Sequence, residues 1–215
     1  MNFYPAVLIP LTIFTVLFYL NWNRIDRIVD ERLFARFLLY GLLLGIIYLV
    51  LFLYAFFTVY RYIDLMLFVL LLFLPLLSAG EQLSVMTGKY RKRDDLYQLG
   101  SSLGGAFSLP VSFGIAIVTA GGLDDYFFLA LIVVLSFLCN LMSAALLARG
   151  AAMNRTLLFY NIAFLVQMLF ASGVYAEYLF SAEAIFVVLP EVALAIFLYF
   201  RFFHKTLGTG VSQDR

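Results

Sequence analysis

The sequence predicts an all-α polytopic membrane protein: a bundle of seven transmembrane helices, with the amino terminus outside and the carboxyl terminus cytoplasmic. Three observations carry this expectation. Hydrophobic residues make up 65% of the 215 residues and charged residues 13%, against about half and about a quarter in a soluble domain. The mean hydropathy is +1.02, so there is more apolar surface than a chain of this length can hide from water. The apolar residues also fall into seven long runs, separated by short polar joints whose basic residues alternate from side to side.

A bilayer core of about 30 Å needs roughly 20 residues of helix. The predicted spans are Tyr4–Leu20, Phe37–Val59, Ile63–Leu83, Gly100–Ala120, Tyr126–Leu147, Thr156–Tyr175 and Ala184–Phe203. Transmembrane strands would be about ten residues long and alternate in polarity, whereas these runs are longer and apolar on every face. The first run reads as a retained helix, because no basic residue precedes it and no small-x-small cleavage site follows it. Tyr19 and Trp22 suit a membrane interface. Residues 1–207 are expected to form one seven-helix domain, with 208–215 a short polar cytoplasmic tail.

Orientation follows from the joints. The first carries Arg24, Arg27 and Arg32, with Arg36 at the edge of the next span. The third carries Lys89, Arg91, Lys92 and Arg93, the fifth Arg149 and Arg155, and the tail Arg201, Lys205 and Arg215. The fourth has Asp124 and Asp125 and the sixth Glu177 and Glu183, with no Lys or Arg in either. Basic residues mark the cytoplasmic side, which places the odd joints inside. Arg61 is the discordant charge, and Asp64 lies near enough in sequence to pair with it. The stretch Lys89–Arg93 reads as a topology determinant, and anionic lipid head groups are its alternative partner. In the first joint Ile25, Ile28, Val29 and Leu33 recur at helical spacing, which fits either a surface helix or an extension of a neighbouring span.

Polar groups within the spans need a partner or a purpose, because hydrocarbon supplies neither. Glu191 falls near the middle of the seventh span, behind Pro190, which removes one backbone donor and frees the carbonyl of Phe186. An unpaired carboxylate there is disfavoured, so Glu191 is expected to be protonated at neutral pH. Gln167 lies near the middle of the sixth span, with Asn161 and Asn140 nearer the cytoplasmic ends of the sixth and fifth. Sequential helices are commonly neighbours, so Asn140, Asn161, Gln167 and Glu191 are expected to form one polar seam. It serves either as a solute or proton path or as interhelical hydrogen bonding. Glu81, with Gln82, Ser84 and Thr87, reads as a solvated helix end or as one wall of a cytoplasmic mouth. The fourth span opens with Gly100, Ser101, Ser102, Gly104 and Gly105, is expected to be broken by Pro110, and reads as the packed centre of the bundle or as a bent, thin helix lining a transport path. Gly41 and Gly45 form a second small-xxx-small pair. Cys139 reads as a packing residue.

Several chemistries are excluded by count. His204 is the one histidine, so neither a zinc site nor bis-histidine haem is expected, and no Gly-x-Ser-x-Gly elbow accompanies a serine nucleophile. The Gly-Ser stretch at 100–105 lacks the Gly-Lys-Ser/Thr of a phosphate loop. The span count resembles that of microbial rhodopsins, but the seventh span has no internal lysine. It also resembles that of SWEET and PQ-loop transporters, whose Pro-Gln signature is absent. No cofactor, no metal and no catalytic residue is therefore expected. The net charge of +1 argues against a nucleic-acid partner. The expected partners are the lipid bilayer of the cell membrane and, in one reading, other membrane subunits or further copies of the chain. Two functional classes remain. One is a carrier or channel-like protein for a small solute or ion, using Glu191, Gln167, Asn161, Asn140 and Glu81. The other is a non-catalytic subunit, sensor or scaffold acting through helix contacts.

Overall fold

Lipid offers no partner to a backbone N–H or C=O, so an apolar run must close its hydrogen bonds on itself as a helix. A computed structural model describes residues 3–25, 29–59, 69–86, 90–91, 93, 95–119 and 126–203, and among these no strand occurs. The helices are α1 (Phe3–Ile25), α2 (Glu31–Val59), α3 (Leu74–Met86, entered through a π-helical turn at Val69–Phe73), α4 (Leu96–Thr119), α5 (Tyr126–Ala152), α6 (Thr156–Phe180) and α7 (Ile185–Leu198, continued by a π-helical turn at Tyr199–Phe203). A 3₁₀ turn at Ser181–Ala184 joins α6 to α7. Five described helices are long and apolar enough to cross a membrane: α2, α4, α5, α6 and α7 with its π turn; Val7–Trp22 and Leu71–Met86 are shorter apolar helices. These are the features of a helical membrane protein. Arg61, Asp64, Lys89 and the tail 208–215 lie outside the described residues.

The first joint contains no separate helix among the described residues. α1 continues to Ile25, and α2 begins early at Glu31. Asp30 caps α2: its carboxylate accepts from Arg32 N at 3.0 Å and its carbonyl from Phe34 N at 2.9 Å. An acidic cap suits the electropositive helix start. Between α5 and α6, Asn154 takes a left-handed conformation at φ 56°. Arg155 N reaches back to Gly150 O at 2.9 Å, closing α5 as left-handed asparagine caps do.

α4 lies between α2 and α5, and α5 lies between α4 and α6; α1, α3 and α7 pack against this row. In α4 and α5, 78% of the membrane-crossing window is buried, against 28% in α2, 33% in α6 and 22% in α7. The packed centre is therefore the α4–α5 pair. Glycine makes it possible. A Cβ on Gly41 would collide with the carbonyl of Leu103, and one on Gly45 would stand 2.6 Å from that of Phe107. On another face of α4, a Cβ on Gly100 would stand 2.6 Å from Ala148 Cβ, and one on Gly104 would collide with the carbonyl of Asn140. Two small-xxx-small seams thus clamp α4 between α2 and α5.

Pro110 does not break α4, which runs through it without interruption. The expected break fails because other helices brace the lost backbone bond within a membrane bundle; the Pro110 ring packs towards Gly45. Cys139 is wholly buried and unoxidised, within the main apolar cluster.

Replacing Gly104 tests the clamp. Gly104→Ala should cost on the order of 1–3 kcal/mol through overpacking, and Gly104→Leu more. Leu43, half exposed on the outer face of α2, should tolerate alanine. Thermal unfolding in detergent reads the difference, and an unchanged melting point for Gly104→Leu would remove α4 from the centre.

Candidate functional site

Asn140, in the fully buried stretch of α5, is the hub of the interior polar groups. Its Oδ1 accepts from Gln167 Nε2 of α6 at 3.0 Å and from Gln82 Nε2 of α3 at 3.2 Å. Its Nδ2 donates to Ser136 O at 2.8 Å, one turn back. Gln82 Nε2 also lies 3.4 Å from Ser78 Oγ. One side chain thus ties three helices together. Asn140, Gln82 and Gln167 are all 2% exposed or less. Each such bond between membrane helices is worth about 0.6–2 kcal/mol.

The expected pairing of Asn140 with Gln167 is present. Gln82, read from sequence as part of a solvated end, is instead entirely enclosed. α5 and α6 cover it, which counting residues from the end of a run does not reveal. Ser78, four residues earlier on the same helix face, is the local signal for a polar inward stripe. Asn161 is exposed and takes no part in the hub. It lies six residues before Gln167, so the two directions differ by about 120° around the helix.

Glu191 does not reach the hub either. Its Oε1 lies 2.6 Å from Ser172 Oγ of α6, and its Oε2 is buried without a hydrogen-bond partner among the described residues. Gly173 makes room for it: a Cβ there would stand 2.8 Å from Oε2 and 3.0 Å from Leu135 Cδ2. Gln167 and Ser172 are five residues apart, about 140° around α6, so one meets α5 and the other α7. The single expected seam is therefore two polar centres on different faces of α6. Ser172 was not singled out in the sequence, because a small hydroxyl among Ala171 and Gly173 reads as packing.

Glu81 is partly buried, and its Oε2 has no hydrogen-bond partner among the described residues. It belongs to neither centre, although it lies within electrostatic reach of Tyr48 on α2. In the joint before α4, Arg93 forks onto Asp95 at 2.7 and 2.8 Å. That pairing raises the guanidinium above its ordinary pKa, hydrogen bonding being the largest cause. Arg91 Nε donates to Ala151 O at 3.1 Å, a cation at the electronegative end of α5. Where α1 and α7 end, Tyr199 OH donates to Asn21 Oδ1 at 2.6 Å. Gln98, wholly buried at the start of α4, has neither amide atom hydrogen-bonded among the described residues. No group of three or more His, Cys, Asp or Glu placed to hold a metal ion occurs among the described residues. No protein-family model, curated protein sequence or solved structure matches this chain.

The hub has a measurable signature. Asn140→Leu leaves both glutamine amides without their shared acceptor and should lower stability by about 0.6–2 kcal/mol for each bond lost. In a double-mutant cycle with Gln167→Leu, the two losses should not add, because they remove the same bond. Additive losses in detergent unfolding would show that the Asn140–Gln167 contact carries no energy.

Proposed function

We propose that the protein is a multi-pass protein of the cell membrane with seven spans and an external amino terminus, and that it carries a small solute or ion using Glu191. The observation that supports the carrier reading is the Glu191 carboxyl itself: at mid-span depth, with Oε1 on Ser172 and Oε2 buried and unbonded among the described residues. A buried carboxyl left half satisfied is costly, and retaining one within a membrane points to a task. Pro190 leaves one backbone donor missing beside the carboxyl, and the absent side chain at Gly173 gives it room. In this reading the hub of Gln82, Asn140 and Gln167 fixes α3, α5 and α6 as the static wall beside the path, with Glu81 towards the cytoplasm. Asn161 stays in the proposed set as an outer polar contact of α6.

A second reading has its own support. The hub's side-chain amide nitrogens are committed to bonds within the protein, and the glycine seams leave no space between α2, α4 and α5. Those features suit a non-catalytic membrane subunit whose work is helix contact, with other subunits or further copies of the chain as partners.

Flux separates the two. In vesicles containing the purified protein and a pH-reporting dye, an imposed pH gradient should decay faster than in empty vesicles. Glu191→Gln should abolish the excess decay while leaving the melting point unchanged. Equal decay with the wild-type and Glu191→Gln proteins would favour the subunit. Orientation is tested separately. A cysteine replacing exposed Glu183 should react with an impermeant thiol reagent applied outside intact cells, and one replacing exposed Arg155 should not. The reverse pattern would invert the topology.

A further inference from the structure

The Ser172 hydroxyl stands between two acceptors and has one proton. Its Oγ lies 2.9 Å from the carbonyl of Leu169 and 2.6 Å from Glu191 Oε1. A serine hydroxyl donates once and accepts through two lone pairs. If Ser172 donates to Leu169, the shorter contact needs a proton from the carboxyl, so Glu191 is a neutral acid donating to Ser172. If Glu191 is ionised, the serine proton must turn towards the carboxylate, and the contact with Leu169 loses its hydrogen. The same heavy-atom positions serve both states. They are not equally supported. The neutral acid uses both short contacts, whereas the ionised form has Ser172 as its one donor among the described residues and leaves charge on the buried, unbonded Oε2, which burial disfavours.

We infer that Glu191 and Ser172 form a proton-binding site: at rest the Glu191 acid donates to Ser172 and Ser172 donates to Leu169, and release of the proton turns the serine hydroxyl onto the carboxylate. The inference rests on the role proposed above for Glu191 and names its ligand as a proton. The step is an acid dissociation: the O–H bond of the carboxyl breaks, its electron pair stays on oxygen, and water takes the proton. Ser172 is a positioning residue that accepts from one state and donates to the other. Gly173 belongs to the site because any side chain there would meet the carboxyl.

Few ionisable groups face this site. The helices packed against α7 are α5 and α6. Among the described side chains α5 carries Tyr126, Cys139 and Arg149, and α6 carries Tyr160 and Tyr175. Cys139 lies within electrostatic reach of the carboxyl. Tyr160 is engaged elsewhere, donating to Leu76 O at 3.0 Å. No residue on α7 itself, Ile185–Leu198, is ionisable except Glu191.

Infrared difference spectroscopy of the full chain in lipid vesicles, wild type against Glu191→Gln, tests the inference. The wild type should show the carbonyl band of a protonated carboxylic acid at neutral pH, lost in the glutamine variant and lost reversibly at alkaline pH. Ser172→Ala should move that band to higher wavenumber, because the acid loses its acceptor, while Ser172→Thr should leave it in place. Ser172→Cys, whose sulfur is a poor acceptor of similar volume, should shift it in the same direction and serves if the alanine variant does not fold. Absence of the band at neutral pH overturns the resting state, and a band unmoved in a folded Ser172→Ala or Ser172→Cys protein overturns the part assigned to Ser172. The band behaving as expected without any Glu191-dependent flux would sustain the proton site and refute the carrier. Glu191-dependent flux with an unmoved band would sustain the carrier and refute the part assigned to Ser172.

Discussion

The seating of Gly104 against the main chain of Asn140 is the contact on which the rest of the bundle depends. It brings α4 closer to α5 than any side chain would allow. The same asparagine turns its side chain the other way, where it holds Gln82 of α3 and Gln167 of α6. Backbone on one face and amide on another, Asn140 joins four helices at one level. Apolar surface alone could not do this, because lipid tails solvate leucine as well as a neighbouring helix does. Close backbone approach and interhelical hydrogen bonds are the terms that distinguish association from dispersal in the bilayer. The protein concentrates both on α5.

The distribution of residue size follows. Small residues gather on α4 and α5, where 78% of the spanning window is buried. Bulky aliphatic and aromatic residues occupy the outer faces of α2, α6 and α7. Tyr54, Phe57, Leu157, Phe186 and Phe197 are each 60% exposed or more, which would be a liability in water and is the expected face towards lipid. Aromatic packing reinforces the joint between the first two helices, where Trp22 meets Phe34 edge-on at 4.1 Å.

Composition, run length and joint polarity made the helical membrane fold legible. Two helix starts, Tyr126 and Thr156, fall where the apolar runs begin. Others extend beyond the runs: α2 begins at Glu31 and α4 at Leu96, the added turn of α4 being buried against its neighbours. The glycines of α2 and α4 signalled close approach, and their partners became visible only in three dimensions. Helix rotation was the information missing from the sequence. In water an apolar stripe points to the core, but here the lipid and protein faces are both apolar, so no pattern says which way Asn161, Gln167 or Glu191 turns. Asn140 and Gln167, on sequential helices, do meet, while Asn161 and Glu191, on the same and the next helix, turn to other faces. Gln82 was misplaced for a related reason: depth along a helix is countable, but cover by neighbours is not.

The two polar centres differ in what they leave free. At the hub the amide nitrogens of Gln82, Asn140 and Gln167 all donate within wholly buried contacts, with Gln82 Oε1 lacking a partner among the described residues, and rearranging them would strand buried donors. Glu191 sits on α7, the long apolar helix with the smallest buried share. Pro190 removes a backbone bond beside it, and a π-helical turn at Tyr199–Phe203 loosens the regular ladder beyond it. Helix irregularities of this kind concentrate at functional positions. A displacement of α7 along α6 would disturb the Glu191–Ser172 contact and the Tyr199–Asn21 bond, and would leave the Asn140 hub and both glycine seams in place. The less enclosed helix, α7, thus carries the half-satisfied carboxyl, and the more enclosed one, α5, provides part of the wall against which that carboxyl is held.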